Sequence, residues 1–190
     1  MKKNIRALGI DDSYFVPHKP GKVEIVGVVM RAPNYIEGIL IKKIEVDGLD
    51  CSDKIVEMLS SRFGSQLKVI LTQGMTFGGF NILDMDKVYR VSRIPIMAIS
   101  RKMPNMEEIK NALKKHFPDW KKRWELLSSH EIQKVRNKDY DLFVQSIGLA
   151  QSEIAEILEL FTVRGAIPEP LRVAHLIASA LHFGESRGKP

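Results

Sequence analysis

The sequence predicts a mixed α/β sheet that carries helices on both of its faces. Residues 5–46 contain three extended segments joined by short turns, a pattern that favours an antiparallel meander. After residue 47, helical periodicity alternates with short apolar segments, which are typical of the buried strands of a parallel sheet. Antiparallel strands followed by alternating helices and strands describe one mixed sheet.

The meander consists of predicted strands at 5–15, 23–30 and 35–46. The turn at 17–21 is rich in Pro and Gly, and a second turn at 31–34 also contains proline. β-Branched residues dominate the middle strand, as expected for a pleated, half-buried surface.

The middle of the chain predicts two helices and two buried strands. Ser52 is the expected N-cap of the first helix, and the strand 67–71 follows it. The glycine-containing segment 72–81 interrupts periodicity before a predicted helix at 82–92 and a strand at 94–99.

The last part of the chain is predicted to be mainly helical. Asn105 opens a helix with a capping-box pattern, and 118–150 is predicted to hold one helix and two extended segments. Ser152 is expected to cap the next helix, Pro168 suits the start of the final one, and 184–190 is predicted to be disordered.

The composition restricts the class of protein. The chain has 190 residues, 44% hydrophobic and 27% charged, which predicts one domain over 1–190. With 29 Lys and Arg against 23 Asp and Glu, the net charge of +6 permits a polyanionic partner. Cys51 is the single cysteine, which argues against a disulfide framework or a cysteine-based zinc site. Because the sequence has no apolar run of about 18 residues and no signal-peptide core, we expect a cytoplasmic protein with no membrane partner. The sequence predicts no oligomeric state.

Two consecutive carboxylates at the end of the first strand are the strongest candidates for chemistry. Successive strand side chains point to opposite faces, so Asp11 and Asp12 cannot share one solvated face. A carboxylate aimed into a packed region needs a cation, a donor or a proton. A rigid strand end also suits a metal ligand.

Several motifs resemble one family. The element order is that of the ribonuclease H-like fold. Gly-Ile-Asp-Asp-Ser-Tyr at 9–14 resembles the first-strand motif of endonuclease V, Tyr-Ile-Glu-Gly at 35–38 its DNA-probing wedge, and Pro-Glu-Pro-Leu-Arg-Val-Ala at 168–174 its last helix start. With the glycine-rich 78–84, the whole chain resembles an uncharacterised, largely archaeal family related to endonuclease V.

This resemblance implies metal-dependent phosphodiester hydrolysis with Mg²⁺ or Mn²⁺. Asp11 matches the first-strand Asp. The other carboxylate positions of the pattern fall near Ile44, at Gln73 and at His175. Gln73 still offers a carbonyl oxygen, and His175 offers an imidazole.

A rearranged site would use Asp11, Asp12, Asp84 and His175, with Gln73 as a neutral member and with Asp11 and Asp84 as the metal ligands. Each residue also has a structural interpretation. Asp12 suits an Asx-turn, Asp84 a helix cap, and His175 a hydrogen-bonded core position.

Two further features point to anionic ligands. The loop 72–81 can offer backbone donors to phosphate, although close backbone packing explains its glycines equally well. A basic, aromatic segment suits nucleic acid, although a solvated helix face explains the segment too. The segment comprises Trp120, Lys121, Lys122 and Arg123. The resemblance also implies a nucleic-acid contact for Tyr35 of the wedge motif.

The sequence therefore predicts a nucleic-acid-associated, endonuclease V-like protein with a degenerate carboxylate site. Two alternatives stay open. One is a non-catalytic module that binds nucleic acid, and the other is a protein that binds a small ligand at the glycine-rich loop.

Overall fold

A seven-stranded mixed sheet forms the centre of the protein. The computed structural model describes residues 4–187. The strands are β1 (Arg6–Asp12), β2 (Lys22–Arg31), β3 (Tyr35–Glu45), β4 (Leu67–Gln73), β5 (Thr76–Phe77), β6 (Asn81–Ile82), β7 (Ile96–Ser100), β8 (Gln133–Asn137) and β9 (Tyr140–Ile147). The sheet order is β3-β2-β1-β4-β7-β9-β8, and β5 and β6 pair separately as a short ribbon.

The strand directions confirm the predicted mixed sheet. β1, β2 and β3 form the antiparallel meander. β4 runs parallel to β1, and β7 runs parallel to β4. β9 and β8 complete the far edge as an antiparallel hairpin. The C-terminal ends of β1, β4 and β7 therefore meet at one edge of the sheet, where ligands of α/β proteins commonly bind.

Six α-helices connect and cover these strands within residues 4–187. They are α1 (Cys51–Leu59), α2 (Met85–Ser92), α3 (Met106–His116), α4 (Trp120–Ser128), α5 (Gln151–Phe161) and α6 (Glu169–Phe183). None of them is long and apolar enough to cross a membrane.

Three helix starts differ from the sequence predictions. α2 begins three residues later than predicted, because Asn81 and Ile82 pair in β6 instead. Ser52 lies inside α1, where its buried hydroxyl accepts a hydrogen bond from the Asp84 backbone N–H at 2.8 Å. Ser152 does not cap α5, because the Glu153 carboxylate takes the free backbone N–H at the helix start.

The helices form two layers. α1, α2, α3 and α4 pack on the face that carries Leu8 and Ile10 of β1. α5 and α6 pack on the other face, against Ala7 and the neighbouring residue Leu71 of β4. Each face thus buries its own apolar cluster, which explains why β1 is apolar on both sides.

Gly9 sets the distance between β1 and α6. A Cβ atom at Gly9 would lie 2.4 Å from the carbonyl carbon of Pro170, so only glycine allows this approach. Further along the same pair of elements, the Ser13 hydroxyl donates a 2.7 Å hydrogen bond to the Ala178 carbonyl. α6 therefore lies along β1 and faces its odd-numbered side chains.

The structure describes residues 184–187, the first part of the tail that was predicted to be disordered. The Arg187 backbone N–H donates to the Ser179 hydroxyl at 2.7 Å, which ties residues 184–187 to α6. The rest of that prediction concerns residues 188–190, which lie outside the described residues, as do residues 1–3.

Gly9→Ala should destabilise the protein, because the added methyl group would overlap the α6 backbone. Overpacking of this kind typically costs about 1–3 kcal/mol of unfolding free energy. Urea denaturation measures the change. Gly21→Ala is the matched control, since a Cβ there meets nothing within 4 Å. Equal stability of the two variants would contradict this constraint.

Candidate active site

A polar cleft of about 330 Å³ opens at the C-terminal ends of β1 and β4. Residues of β1, β4, α6 and the following tail form its walls. They are Asp11, Asp12, Ser13, Tyr14, Gln73, His175, Ser179, Phe183 and Arg187. Four of the five predicted catalytic residues therefore line one cleft, although they lie up to 164 positions apart in sequence.

Asp11 is the buried centre of the cleft, with only 5% of its surface exposed. It lies on the α6 side of β1, since its neighbour across the sheet is Val26, which packs beneath α6. One carboxylate oxygen lies 2.9 Å from Nδ1 of His175, and the other accepts the Asp12 backbone N–H at 3.0 Å. These contacts satisfy a charge that would otherwise be costly to bury.

His175 completes a carboxylate–imidazole pair. The hydrogen bond to Asp11 raises the pKa of His175 above its usual 6.5, while partial burial and the positive charge of Arg101 oppose this shift. The Arg187 backbone acts in the same direction as Asp11. Nevertheless, Nε2 of His175 is buried and makes no hydrogen bond of normal geometry with any residue in 4–187.

Gln73 contributes a second unsatisfied atom. It ends β4 on the same side of the sheet as Asp11, since Leu71 of that strand packs in the α5–α6 core. Its Oε1 atom is buried without a hydrogen-bond partner among the described residues. Buried polar atoms are rarely left unpaired, so this pair of orphaned atoms indicates a place for a ligand, ion or water.

Asp12 points to the other side of β1. Its carboxylate accepts a 2.5 Å hydrogen bond from the Gly78 backbone N–H. Burial raises the pKa of Asp12 from 3.8 to about 7, the adjacent charge of Asp11 adds to this rise, and the Gly78 hydrogen bond opposes it. The Asx-turn interpretation of Asp12 has no support, because its carboxylate binds the backbone of the distant glycine-rich loop instead. The residue also lines the cleft.

Two backbone N–H groups of the glycine-rich loop bind carboxylates of the protein itself. Gly78 donates to Asp12, and Phe80 donates to Asp47 at 2.8 Å. The side chain of Phe77, the last residue of β5, is fully buried. The geometry thus favours the packing interpretation of these glycines over a phosphate cradle.

Asp84 does not join the other predicted site residues. Its carboxylate accepts the Lys87 backbone N–H at 2.8 Å and caps α2. It is absent from the walls of the cleft. Between residues 4 and 187, no group of three or more His, Cys, Asp and Glu side chains is arranged to hold a metal ion. A shared Asp11–Asp84 metal site therefore has no support in the geometry.

The position of the expected third-strand carboxylate is apolar. Ile44 is fully buried in the core on the α1 side of the sheet. The adjacent Glu45 is exposed and pairs with Lys22 at 3.3 Å. Neither residue supplies a carboxylate to the cleft.

The family follows from comparison with known proteins. The family model described as Endonuclease dU matches residues 3–182. This chain belongs to the Endonuclease dU family. A UPF0215 protein of Methanothermobacter thermautotrophicus is 43% identical, with 99% of this chain and 93% of the relative covered. A UPF0215 protein of Pyrococcus furiosus is 41% identical over 98% of this chain and 96% of that protein.

Solved structures agree with this fold. A protein of unknown function from Archaeoglobus fulgidus is 37% identical, with a TM-score of 0.85 and coverage of 95% of this chain and 99% of that one. Endonuclease V of Ciona intestinalis, solved with inosine-containing DNA, has a TM-score of 0.58 at 15% identity, covering 90% and 83%. Endonuclease V of Bacillus subtilis has a TM-score of 0.59 at 10% identity, covering 93% and 80%. The ribonuclease H-like fold predicted from element order is thereby confirmed.

In this Endonuclease dU family member, Tyr35 lies far from the cleft. The strand register places Tyr35 opposite Arg31 and Arg31 opposite Arg6, at the start of β1, whereas Asp12 ends that strand. The separation along the strand is roughly 20 Å. Glu37 binds both Arg6 and Arg31, which fixes this end of the meander. Tyr35 is exposed, with the Arg31 guanidinium stacked on its ring.

Only part of the basic segment of α4 is exposed. Arg123 is buried and donates to the Gly48 and Phe80 carbonyls and to Asp119, so its predicted role in binding nucleic acid is wrong. Trp120 is partly buried against the core, and the Lys114 ammonium lies 5.2 Å from the centre of its ring. Lys121 and Lys122 remain exposed.

The sequence reasoning missed the α6 and tail residues of the cleft. Ser179 and Phe183 follow His175 at intervals of four, so they lie on the same helix face. That spacing was visible in the sequence. The position of Arg187 could not be read from the sequence, because it depends on how the chain turns after Gly184. That glycine has a positive φ of 74°.

Asp12→Asn should change how stability depends on pH. Because the folded state raises the pKa of Asp12, the folded protein binds this proton more tightly than the unfolded chain. The contribution of this tighter proton binding to the unfolding free energy is fully present below pH 3.8. It is lost as the pH rises towards about 7. Since asparagine does not titrate, the unfolding free energy of the variant should rise relative to wild type across this window. Denaturant titrations at several pH values measure the difference, and a constant difference would refute the raised pKa.

Proposed function

We propose that this protein is an endonuclease V-like phosphodiester hydrolase that acts on nucleic acid at the Asp11 cleft. The observation that carries the proposal is the convergence of Asp11, Gln73 and His175 around two buried polar atoms that have no hydrogen-bond partner of normal geometry among residues 4–187. Family membership and the fold support it. The family name suggests deoxyuridine as the substrate to test. The Ciona structure, which contains inosine in its DNA, suggests deoxyinosine as a second.

His175 is the proposed proton acceptor. Asp11 holds Nδ1, so the ring orientation is fixed and Nε2 is the nitrogen left for chemistry. Hydrolysis needs a water oxygen to attack phosphorus while its proton leaves and the bond to the leaving oxygen breaks. An imidazole with a pKa above its usual value suits this transfer near neutral pH. Because Nε2 is buried beside Arg187, we expect residues 184–187 to shift when a substrate enters.

The donor set fits a hard divalent cation that keeps most of its water. Mg²⁺ is commonly bound through one or two carboxylates together with waters. Asp11, Asp12 and the orphaned Oε1 of Gln73 are oxygen donors on the walls of one cleft. These three residues would hold Mg²⁺ or Mn²⁺, and such an ion would supply positive charge next to the scissile phosphate.

A non-catalytic, nucleic-acid-binding module is the second candidate. It is favoured by Ile44, which fills with apolar packing a position where the endonuclease V pattern implies a carboxylate. Binding without cleavage would be expected if Asp11 and its neighbours cannot hold the ion that hydrolysis requires.

Asp11→Asn and His175→Ala should each slow cleavage by at least about 100-fold, because each removes one partner of the proton-transfer pair. Single-turnover assays with Mn²⁺ on strands containing deoxyuridine or deoxyinosine measure the rate. Asp86→Asn is the matched control, since Asp86 is exposed on α2. Wild-type rates in both cleft variants would refute the site. Binding without cleavage by the wild type would support the second candidate.

Millimolar Mn²⁺ should raise the melting temperature of the wild type, because a ligand that binds only the folded state stabilises it by mass action. Asp11→Asn should abolish the rise. Asp84→Asn should retain it, since asparagine caps a helix about as well as aspartate. Differential scanning calorimetry with and without the ion tests this placement. Loss of the rise in Asp84→Asn alone would restore Asp84 as a ligand.

A further inference from the structure

We propose that the phosphodiester backbone of a polynucleotide runs from the Asp11 cleft through a basic groove, where Arg101, Lys102 and Arg164 bind its phosphates. The term basic groove denotes the two depressions that extend the cleft past the end of β7 and towards β9. This inference deepens the proposed function and rests on it for the identity of the polymer.

The three depressions adjoin one another. The first part of the groove has a volume of about 740 Å³ and shares Gln73 with the cleft. The second part has a volume of about 680 Å³ and shares Arg101 and Ile167 with the first. The cleft and the two parts of the groove therefore lie next to one another along the edge of the sheet.

Positive charge in the groove is available to a ligand. Lys102 and Arg164 are exposed, and neither forms a salt bridge with any residue in 4–187. The acidic residues nearby are already neutralised, because Glu169 binds Arg172 and Asp141 binds both Lys134 and Arg136. The charged residues that line the groove are four cations and one carboxylate, which suits phosphate binding.

Arg101 links the groove to the cleft. It lines both parts of the groove, and its charge acts on His175. Arg101 therefore places positive charge in both parts of the groove and near His175. The exposed Tyr140 ring on the wall of the second part offers a flat surface on which a base can stack without sequence preference.

The experiment compares charge reversals that change the net charge equally. The groove pair is Lys102→Glu with Arg164→Glu. The control pair is Lys68→Glu with Arg90→Glu, which are exposed at the start of β4 and on α2. A third pair, Lys121→Glu with Lys122→Glu, tests the α4 surface. Arg101 is left unchanged because it has an interaction within the protein.

Fluorescence anisotropy gives the dissociation constant for a labelled deoxyuridine-containing strand at several salt concentrations, and circular dichroism checks folding. The groove pair should weaken binding by at least about tenfold and reduce the salt slope by about two, one for each phosphate that is no longer bound. The control pair should stay within about twofold of wild type. Single-turnover cleavage at saturating protein should persist in the groove pair.

Unchanged binding in the groove pair, equal weakening in the groove and control pairs, or weakening confined to the α4 pair would each overturn the groove. No binding by the wild type would overturn it as well. Binding that depends on the groove pair, without cleavage by the wild type, would instead leave the groove standing and remove the hydrolase.

Discussion

The close approach of α6 to β1 at Gly9 is the constraint on which the candidate site depends. Pro170 sits directly over the glycine, and the helix then follows the strand. Two positions after Gly9 comes Asp11, and five after Pro170 comes His175, so strand rise and helix rise carry both side chains roughly 7 Å in the same direction. A larger residue at position 9 would lift the helix and separate Asp11 from His175, whose side chains now lie 2.9 Å apart.

The strand itself separates two adjacent carboxylates. Asp11 faces the helix and finds an imidazole, whereas Asp12 faces the loop and finds a backbone N–H. Proximity still makes them electrostatically dependent, which contributes to the raised pKa of Asp12. One strand end thereby presents two carboxyl groups with different hydrogen-bond partners.

Apolar periodicity predicted the sheet and the strand end that carries Asp11 and Asp12, because that information is local. Gln73 and His175 were assigned to the same site through the resemblance to endonuclease V, and all four residues line one cleft. It failed at Asp84 and Arg123. Asp84 follows a glycine-rich loop whose path is set by the β5–β6 ribbon, and nothing in its own neighbourhood shows where that ribbon points. Arg123 looks like part of an exposed basic run, yet carbonyls from distant segments bury it. Such long-range polar contacts leave no periodic signal.

Ile44 is apolar at a position where the endonuclease V pattern has a carboxylate, so folding of the sheet does not depend on a bound cation. A site built from several converging carboxylates stores mutual repulsion, which a bound cation must relieve. Here Ile44 strengthens the core instead, and the charge of Asp11 is balanced by the helix that covers it. The fold therefore needs no cation to balance Asp11, and a chelator should leave the unfolding free energy of the protein unchanged.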